Sequence, residues 1–121
     1  MKRQPIYSFS NVTVNNDTIS AQITFNENHE IFKGHFPGNP IVPGVIQVQI
    51  IKDLTEHGLQ KELLLTNSKN IKFLNFISPV ENKIVSVSIS YQILDDNSIK
   101  VSASIFSQDV IFLKFSGFFR D

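Results

Sequence analysis

The chain has 121 residues, and its 11 lysines and arginines balance its 11 aspartates and glutamates. A neutral chain of this length fits a single domain, 1–121, and argues against a nucleic-acid binder and against a polybasic membrane anchor. Cysteine is absent, which excludes disulfides, thiol nucleophiles and cysteine-based metal sites.

The first part of the chain predicts a hairpin followed by an ordered loop. Two β-type runs, Ile6–Val14 and Ile19–Phe25, flank a polar Asn-Asn-Asp turn. The next stretch, 34–44, holds three of the five prolines and three of the five glycines, so it can be neither a regular helix nor a central strand. Because no secretory signal and no membrane span are visible, we expect a cytoplasmic protein.

The second part predicts one helix and four further strands. Apolar residues surround most of the helix over about 44–58, up to a stop at Gly58, which is typical of a buried helix. A connector is predicted over 61–66. Period-two alternation then predicts the strands Lys69–Ile77, Lys83–Asp95, Ser98–Ser107 and Val110–Phe119. This order predicts an α+β domain, an antiparallel sheet of about six strands wrapped on one long helix.

His35 is the candidate catalytic base. It lies between glycines in the loop that leads into the helix, a setting that His29 and His57 lack. Free N–H groups at the helix start, around Gly44, can stabilise negative charge on a carbonyl oxygen, and a nearby histidine suits abstraction of a proton alpha to that carbonyl. The alternative is a structural histidine that fills a rigid turn beside Phe36. No cofactor or metal is expected, because nucleotide-binding motifs and metal-ligand spacings are absent.

Residues 34–45, Gly-His-Phe-Pro-Gly-Asn-Pro-Ile-Val-Pro-Gly-Val, closely resemble the signature of the hotdog-fold 3-hydroxyacyl-(acyl carrier protein) dehydratases of fatty acid synthesis. The segments Ile71–Leu74 and Ser78–Val80 are similar to the next strand and turn of that family. Gln47 is more typical of the dehydratases that make aryl-polyene and flexirubin-type pigments. The resemblance covers nearly the whole chain and implies a dimeric hotdog protein that acts in fatty acid or polyene biosynthesis.

The resemblance also implies a role for each residue that matches the motif. His35 would remove the alpha proton of the 3-hydroxyacyl thioester, and the Gly44 amide would hold the thioester carbonyl. The second catalytic residue of the family, a Glu or Asp fourteen positions after the histidine, is Gln49 here. A glutamine donates hydrogen bonds but is not a general acid. Substrate-binding positions are implied at Phe36, Pro43 and Val45.

Gln49 leaves three hypotheses open. The first is a dehydratase that acts on carrier-bound chains, as a homodimer or as a heterodimer in which a related subunit supplies the acid. The second is a weak or inactive subunit that binds acyl chains or stabilises an active partner. The third is an acyl thioesterase, which is less favoured because no carboxylate is positioned to activate water.

Two carboxylates follow Gln49 on the same helix face. Asp53 lies about 6 Å further along the helix axis, and Glu56 lies further still. We therefore expect both to form the solvent-facing end of the helix, and we expect the Gln49 amide itself to be buried with hydrogen-bond partners.

Overall fold

A computed structural model describes residues 5–33 and 40–121 of the protein. It contains six strands and two helices in these residues. In chain order they are β1 (Tyr7–Asn15), β2 (Thr18–Phe25), α1 (Glu30–Lys33), α2 (Gly44–Leu59), β3 (Leu64–Phe73), β4 (Ile84–Ile93), β5 (Ile99–Ser107) and β6 (Val110–Arg120).

The six strands form one sheet in the order β1-β2-β4-β5-β6-β3, and every neighbouring pair is antiparallel. Strands β1 and β3 are therefore the two edges. Helix α2 packs against β1, β2 and β4. The predicted α+β architecture, one long helix on an antiparallel sheet of six strands, is confirmed.

Alternation along the strands places the core between the helix and one face of the sheet. On β4, Val85, Val87 and Ile89 are buried, whereas the serines between them point to the opposite face. Successive side chains of a strand leave on opposite faces, so this pattern gives an apolar inner face and a polar outer face. Ile51 and Leu54 of α2 are fully buried against that inner face.

The end of α2 differs from the prediction. Gly58 lies within the helix, which ends at Leu59. A Cβ at Gly58 would lie 2.5 Å from Cδ1 of the fully buried Ile19, so a residue without a side chain is needed here. The left-handed residue that ends the helix is Gln60, with φ 57°. Gly58 is therefore a close-packing glycine, not a stop. None of the helices within 5–33 and 40–121 has the length and apolar character that crossing a membrane requires.

Strand β3 also differs from the prediction. It begins at Leu64, inside the predicted connector 61–66, and ends at Phe73, before the predicted limit Ile77. Nearly all of its residues are exposed, and its pairing with β6 contains two register shifts. An edge strand that buries neither face has no apolar alternation, so periodicity indicated a strand here but could not locate its two ends. The short helix α1 was not predicted.

Candidate functional site

Helix α2 begins with free backbone donors. It starts at Gly44, its N-cap is Pro43, and no side chain among the residues that the structure describes caps this end. The Pro43 carbonyl accepts the N–H groups of Ile46 and Gln47 at 3.1 and 3.2 Å. Within the described part of the chain, no acceptor binds the N–H of Gly44 or of Val45. Because the helix dipole adds positive charge here, these groups can hold a carbonyl oxygen that gains negative charge.

Two buried contacts hold the chain that enters this helix. The Val42 N–H donates to the carbonyl of Ile77 at 2.9 Å, which ties the chain to the segment after β3. Gln47 is 3% exposed, and its Nε2 donates to the Val42 carbonyl at 3.3 Å. The Gln47 Oε1 atom is buried and has no hydrogen-bond partner among the described residues. The start of α2 is thus fixed from inside the core.

Phe73, the last residue of β3, lies against the helix start. A Cβ at Gly44 would stand 2.7 Å from its Cζ atom. The Phe73 side chain is 53% exposed, so it can swing outward when something larger occupies that position. Glycine is therefore the residue that lets the ring lie beside the free N–H groups.

Gln49 lies on the exposed face of α2, which contradicts its predicted burial. Its Nε2 donates to Oδ1 of Asp53 at 2.6 Å, one helical turn further on. The other oxygen of Asp53, Oδ2, accepts the hydroxyl of Tyr7 from β1. Burial raises the pKa of Tyr7 well above its ordinary value, and the bond to Asp53 and the charges of Asp53 and Glu56 raise it further. Tyr7 therefore remains a hydrogen-bond donor.

We predicted that the two carboxylates after Gln49 would form the solvent-facing end of the helix, and this prediction is wrong. Asp53 is half-buried between Gln49 and Tyr7. Glu56 is also half-buried, and its Oε2 accepts the N–H of Leu63 at 2.7 Å. The sequence placed Asp53 one helical turn after Gln49, on the same helix face. It did not indicate Tyr7, because only the fold brings β1 to this face of the helix.

His35 and Phe36 lie outside the described residues, and their roles remain predictions. Of the other histidines, His29 accepts the Ile31 N–H on Nδ1 at 3.1 Å, and His57 packs on Phe9 with ring centroids 6.2 Å apart. Across 5–33 and 40–121, no three His, Asp or Glu side chains gather closely enough to hold a metal ion.

Comparison with known proteins identifies the family. The family model described as ApeI-like, ApeI dehydratase, matches residues 11–111. The chain belongs to the ApeI-like dehydratase family. The predicted kinship with the hotdog 3-hydroxyacyl-(acyl carrier protein) dehydratases is thereby confirmed.

Individual relatives agree with this assignment. The chain is 35% identical over 60 residues to the 3-hydroxyacyl-[acyl-carrier-protein] dehydratase FabZ of Legionella pneumophila, a match that covers 50% of this chain and 37% of that protein. It is 30% identical over 95 residues to the FabZ of Wolbachia pipientis wMel, which covers 73% of this chain and 65% of that protein. The chain thus spans less than two thirds of the length of either relative.

Among solved structures, the chain resembles the dehydratase heterocomplex ApeI:P from Xenorhabdus doucetiae. The TM-score is 0.72 at 16% identity, and the match covers 98% of this chain and 99% of that one. At this identity the likeness concerns the fold alone, and it confirms the predicted hotdog fold.

Proposed function

We propose that the protein is a dehydratase, a carbon–oxygen lyase, that acts on 3-hydroxyacyl thioesters carried by an acyl carrier protein. The observation that carries the proposal is the ApeI-like family match over 11–111, which includes the whole of the loop that contains His35. The uncapped start of α2 at Gly44 supports it, because the reaction needs donors where a thioester carbonyl gains charge.

In the proposed reaction, His35 takes the proton from C2 while the Gly44 N–H holds the carbonyl oxygen. The electron pair left by the broken C–H bond forms the C2–C3 double bond, and the C3–O bond breaks. The departing hydroxyl then needs a proton to leave as water. Gln49 cannot supply that proton. It comes either from the imidazolium that His35 has just become, or from a carboxylic acid of a second subunit.

A second hotdog subunit completes the site in this proposal. Strand β3 is a sheet edge with unpaired backbone groups, and edges of this kind are available for pairing with another chain. Exposed apolar side chains lie along and just beyond it. They include Leu64 at 65%, Phe73 at 53% and Phe76 at 80% exposed. The partner is a second copy or an acid-bearing homologue, and the Xenorhabdus protein named above is itself a heterocomplex.

The test is conversion of defined substrates. The protein, alone and mixed with an acid-bearing homologue, is incubated with 3-hydroxyacyl and 2-enoyl carrier-protein thioesters, and mass spectrometry follows the loss or gain of water. We expect interconversion that His35→Ala abolishes. The matched control is His57→Ala, which removes an exposed histidine of α2 whose ring centroid lies 6.2 Å from that of Phe9.

Two other results would each contradict the proposal. Release of the free acid without loss of water would identify a thioesterase. No reaction in either mixture would leave the chain as a subunit that binds acyl chains or stabilises its partner, a role that the glutamine at the acid position favours over the thioesterase.

A further inference from the structure

Three side chains form a continuous hydrogen-bonded chain from the edge of the sheet to the exposed face of α2. The Tyr7 hydroxyl of β1 donates to Oδ2 of Asp53, and Nε2 of Gln49 donates to Oδ1 of the same carboxylate at 2.6 Å. Tyr7 and Asp53 are half-buried, whereas Gln49 is exposed. This series of hydrogen bonds therefore ends at the Gln49 amide, which is bound to Asp53 on one side and exposed to solvent on the other.

Asp53 is the hydrogen-bond acceptor for both of its neighbours, Tyr7 and Gln49. Each of its oxygens accepts one hydrogen bond from a neutral donor, and no Lys, Arg or His within the described residues pairs with it. The neighbouring Lys52 instead lies 3.9 Å from Glu56. Because both of its oxygens accept hydrogen bonds, Asp53 is placed to orient Gln49.

This contact fixes what Gln49 presents to the outside. One Nε2 hydrogen is used by Asp53, and no residue that the structure describes binds the Oε1 acceptor or the second Nε2 hydrogen. A 3-hydroxyl group both donates and accepts, so one fixed amide can satisfy it completely. Without Asp53 the amide would be free to rotate and to exchange its donor and acceptor positions.

The amide also lies at a suitable distance from the helix start. Gln49 is five residues after Gly44, or about 7.5 Å along the helix axis. Val45, one turn before Gln49, is 74% exposed, so the face between them is open. In the substrate, the 3-hydroxyl is three bonds from the carbonyl carbon. A carbonyl bound at the Gly44 N–H would therefore direct its 3-hydroxyl along this face toward Gln49.

We propose that Asp53 and Tyr7 are positioning residues that orient the Gln49 amide to bind the 3-hydroxyl of the acyl chain. This inference rests on the proposed function, because it assumes a 3-hydroxyacyl ligand at the helix start. Gln49 is then the group that distinguishes hydroxylated from plain acyl chains, and the position of the acid in related enzymes serves here for recognition of the hydroxyl.

The test is a binding measurement that needs no turnover. Two pantetheine amides of equal chain length, one 3-hydroxyacyl and one plain acyl, are titrated into the protein by calorimetry, because an amide keeps the carbonyl but resists elimination. We expect the wild type to bind the hydroxylated amide about tenfold more tightly, the value of one well-made hydrogen bond. Gln49→Ala and Asp53→Ala should each remove this preference and leave the affinity for the plain amide unchanged.

Two further variants separate positioning from other roles. Asp53→Asn keeps an acceptor for Gln49 without the charge, so it should retain the preference for the hydroxylated amide. If Asp53 acted as an acid instead, this variant would lose that function. Tyr7→Phe should reduce the preference by about threefold. Tyr91→Phe is the matched control, since it removes a hydroxyl that binds the Asn16 carbonyl at 3.1 Å on another part of the sheet.

Equal affinity of the wild type for the two amides would overturn the inference, as would a preference that persists in Gln49→Ala, an exposed helix position that tolerates alanine. The preference without any turnover would instead refute the proposed function and leave this inference standing. Turnover without the preference would refute the inference alone, and binding of neither amide would refute both.

Discussion

The two ends of helix α2 differ in how their backbone groups are bound. At the C-terminal end, the carbonyl of Glu56 accepts the capping N–H of Gln60, and its carboxylate accepts the N–H of Leu63. At the N-terminal end, Pro43 offers no side-chain cap and Gly44 brings no side chain of its own. Helix ends normally recruit partners for their orphan groups. The backbone groups of the C-terminal end are thus bound within the protein, while the N–H groups of the N-terminal end are available to the proposed ligand.

The largest expected effect comes from placing a carboxylic acid at position 49 of α2, near the N-terminal end of the helix. Gln49→Glu alone would place a second carboxylate against Asp53, where the amide now approaches to 2.6 Å, and like charges one turn apart repel. The double variant Gln49→Glu, Asp53→Asn restores a donor–acceptor pair in the reverse sense.

We expect this double variant to dehydrate 3-hydroxyacyl thioesters as a homodimer about 10²-fold faster than the wild type, the lower range of general acid catalysis. Gln49→Glu alone should gain less. The rates are compared by the mass-spectrometric assay, with His35→Ala added to each variant. A double variant no faster than the wild type would mean that more than the acid is missing.

The next largest effect concerns the hydrogen bond between Tyr7 of β1 and Asp53 of α2. Burial and Asp53 raise the pKa of Tyr7 in the folded protein, so the folded state holds this proton more tightly than the unfolded state does. The resulting stability is fully present below the ordinary tyrosine pKa of 10.0 and is lost as the pH rises above it. We expect the free energy of unfolding to fall there by up to about 1.4 kcal/mol per pH unit.

Denaturant unfolding at a series of alkaline pH values measures this loss. Tyr7→Phe should flatten the alkaline slope, and Tyr91→Phe should leave it as in the wild type. Equal slopes in Tyr7→Phe and in the wild type would show that Tyr7 is not held as described.

The same substitution at the two ends of α2 should have opposite consequences. Gly58→Ala forces a Cβ to 2.5 Å from the fully buried Ile19, and overpacking outweighs the gain in helix propensity, so we expect a net loss of about 1 kcal/mol. Gly44→Ala meets only the movable ring of Phe73 and should change stability by less than about 0.5 kcal/mol. It should lower turnover, because the added methyl group would crowd the proposed ligand at the N–H groups.

Thermal or denaturant unfolding and the turnover assay, applied to both variants, decide between the two roles. Loss of turnover at full stability in Gly58→Ala would contradict the assignment of Gly58 to packing. Loss of stability alone in Gly44→Ala would contradict the assignment of Gly44 to ligand binding.

Sequence patterns were sufficient where burial imposes a period. The buried face of α2 and the alternation of Val85, Val87 and Ile89 on β4 allowed both elements to be predicted within one or two residues. Strand β3 was predicted with shifted bounds, at Lys69–Ile77 instead of Leu64–Phe73, because it buries almost nothing. Gly58 was misinterpreted because its contact with Ile19 is made across the core. A period records which side of an element is buried, but it does not record which residues meet there.

The candidate site was predictable to the same extent. The loop motif and the spacing to Gln49 are local in the chain and could be read directly. The bond between Tyr7 and Asp53 joins residues 46 positions apart and depends on where β1 lies beside the helix, which no local pattern specifies. The exposure of Gln49 likewise follows from the way the sheet leaves one face of α2 uncovered.

Phe73 belongs to two regions at once, since it ends the edge strand β3 and its ring lies against Gly44. A ligand that displaces this ring from the helix start alters the strand edge, and a subunit that pairs with the edge alters the ring. Such an influence is thermodynamically reciprocal, so each event changes the equilibrium constant of the other by the same factor. If the proposed ligand moves this ring and the proposed second subunit pairs with β3, the two events would be coupled through one aromatic side chain.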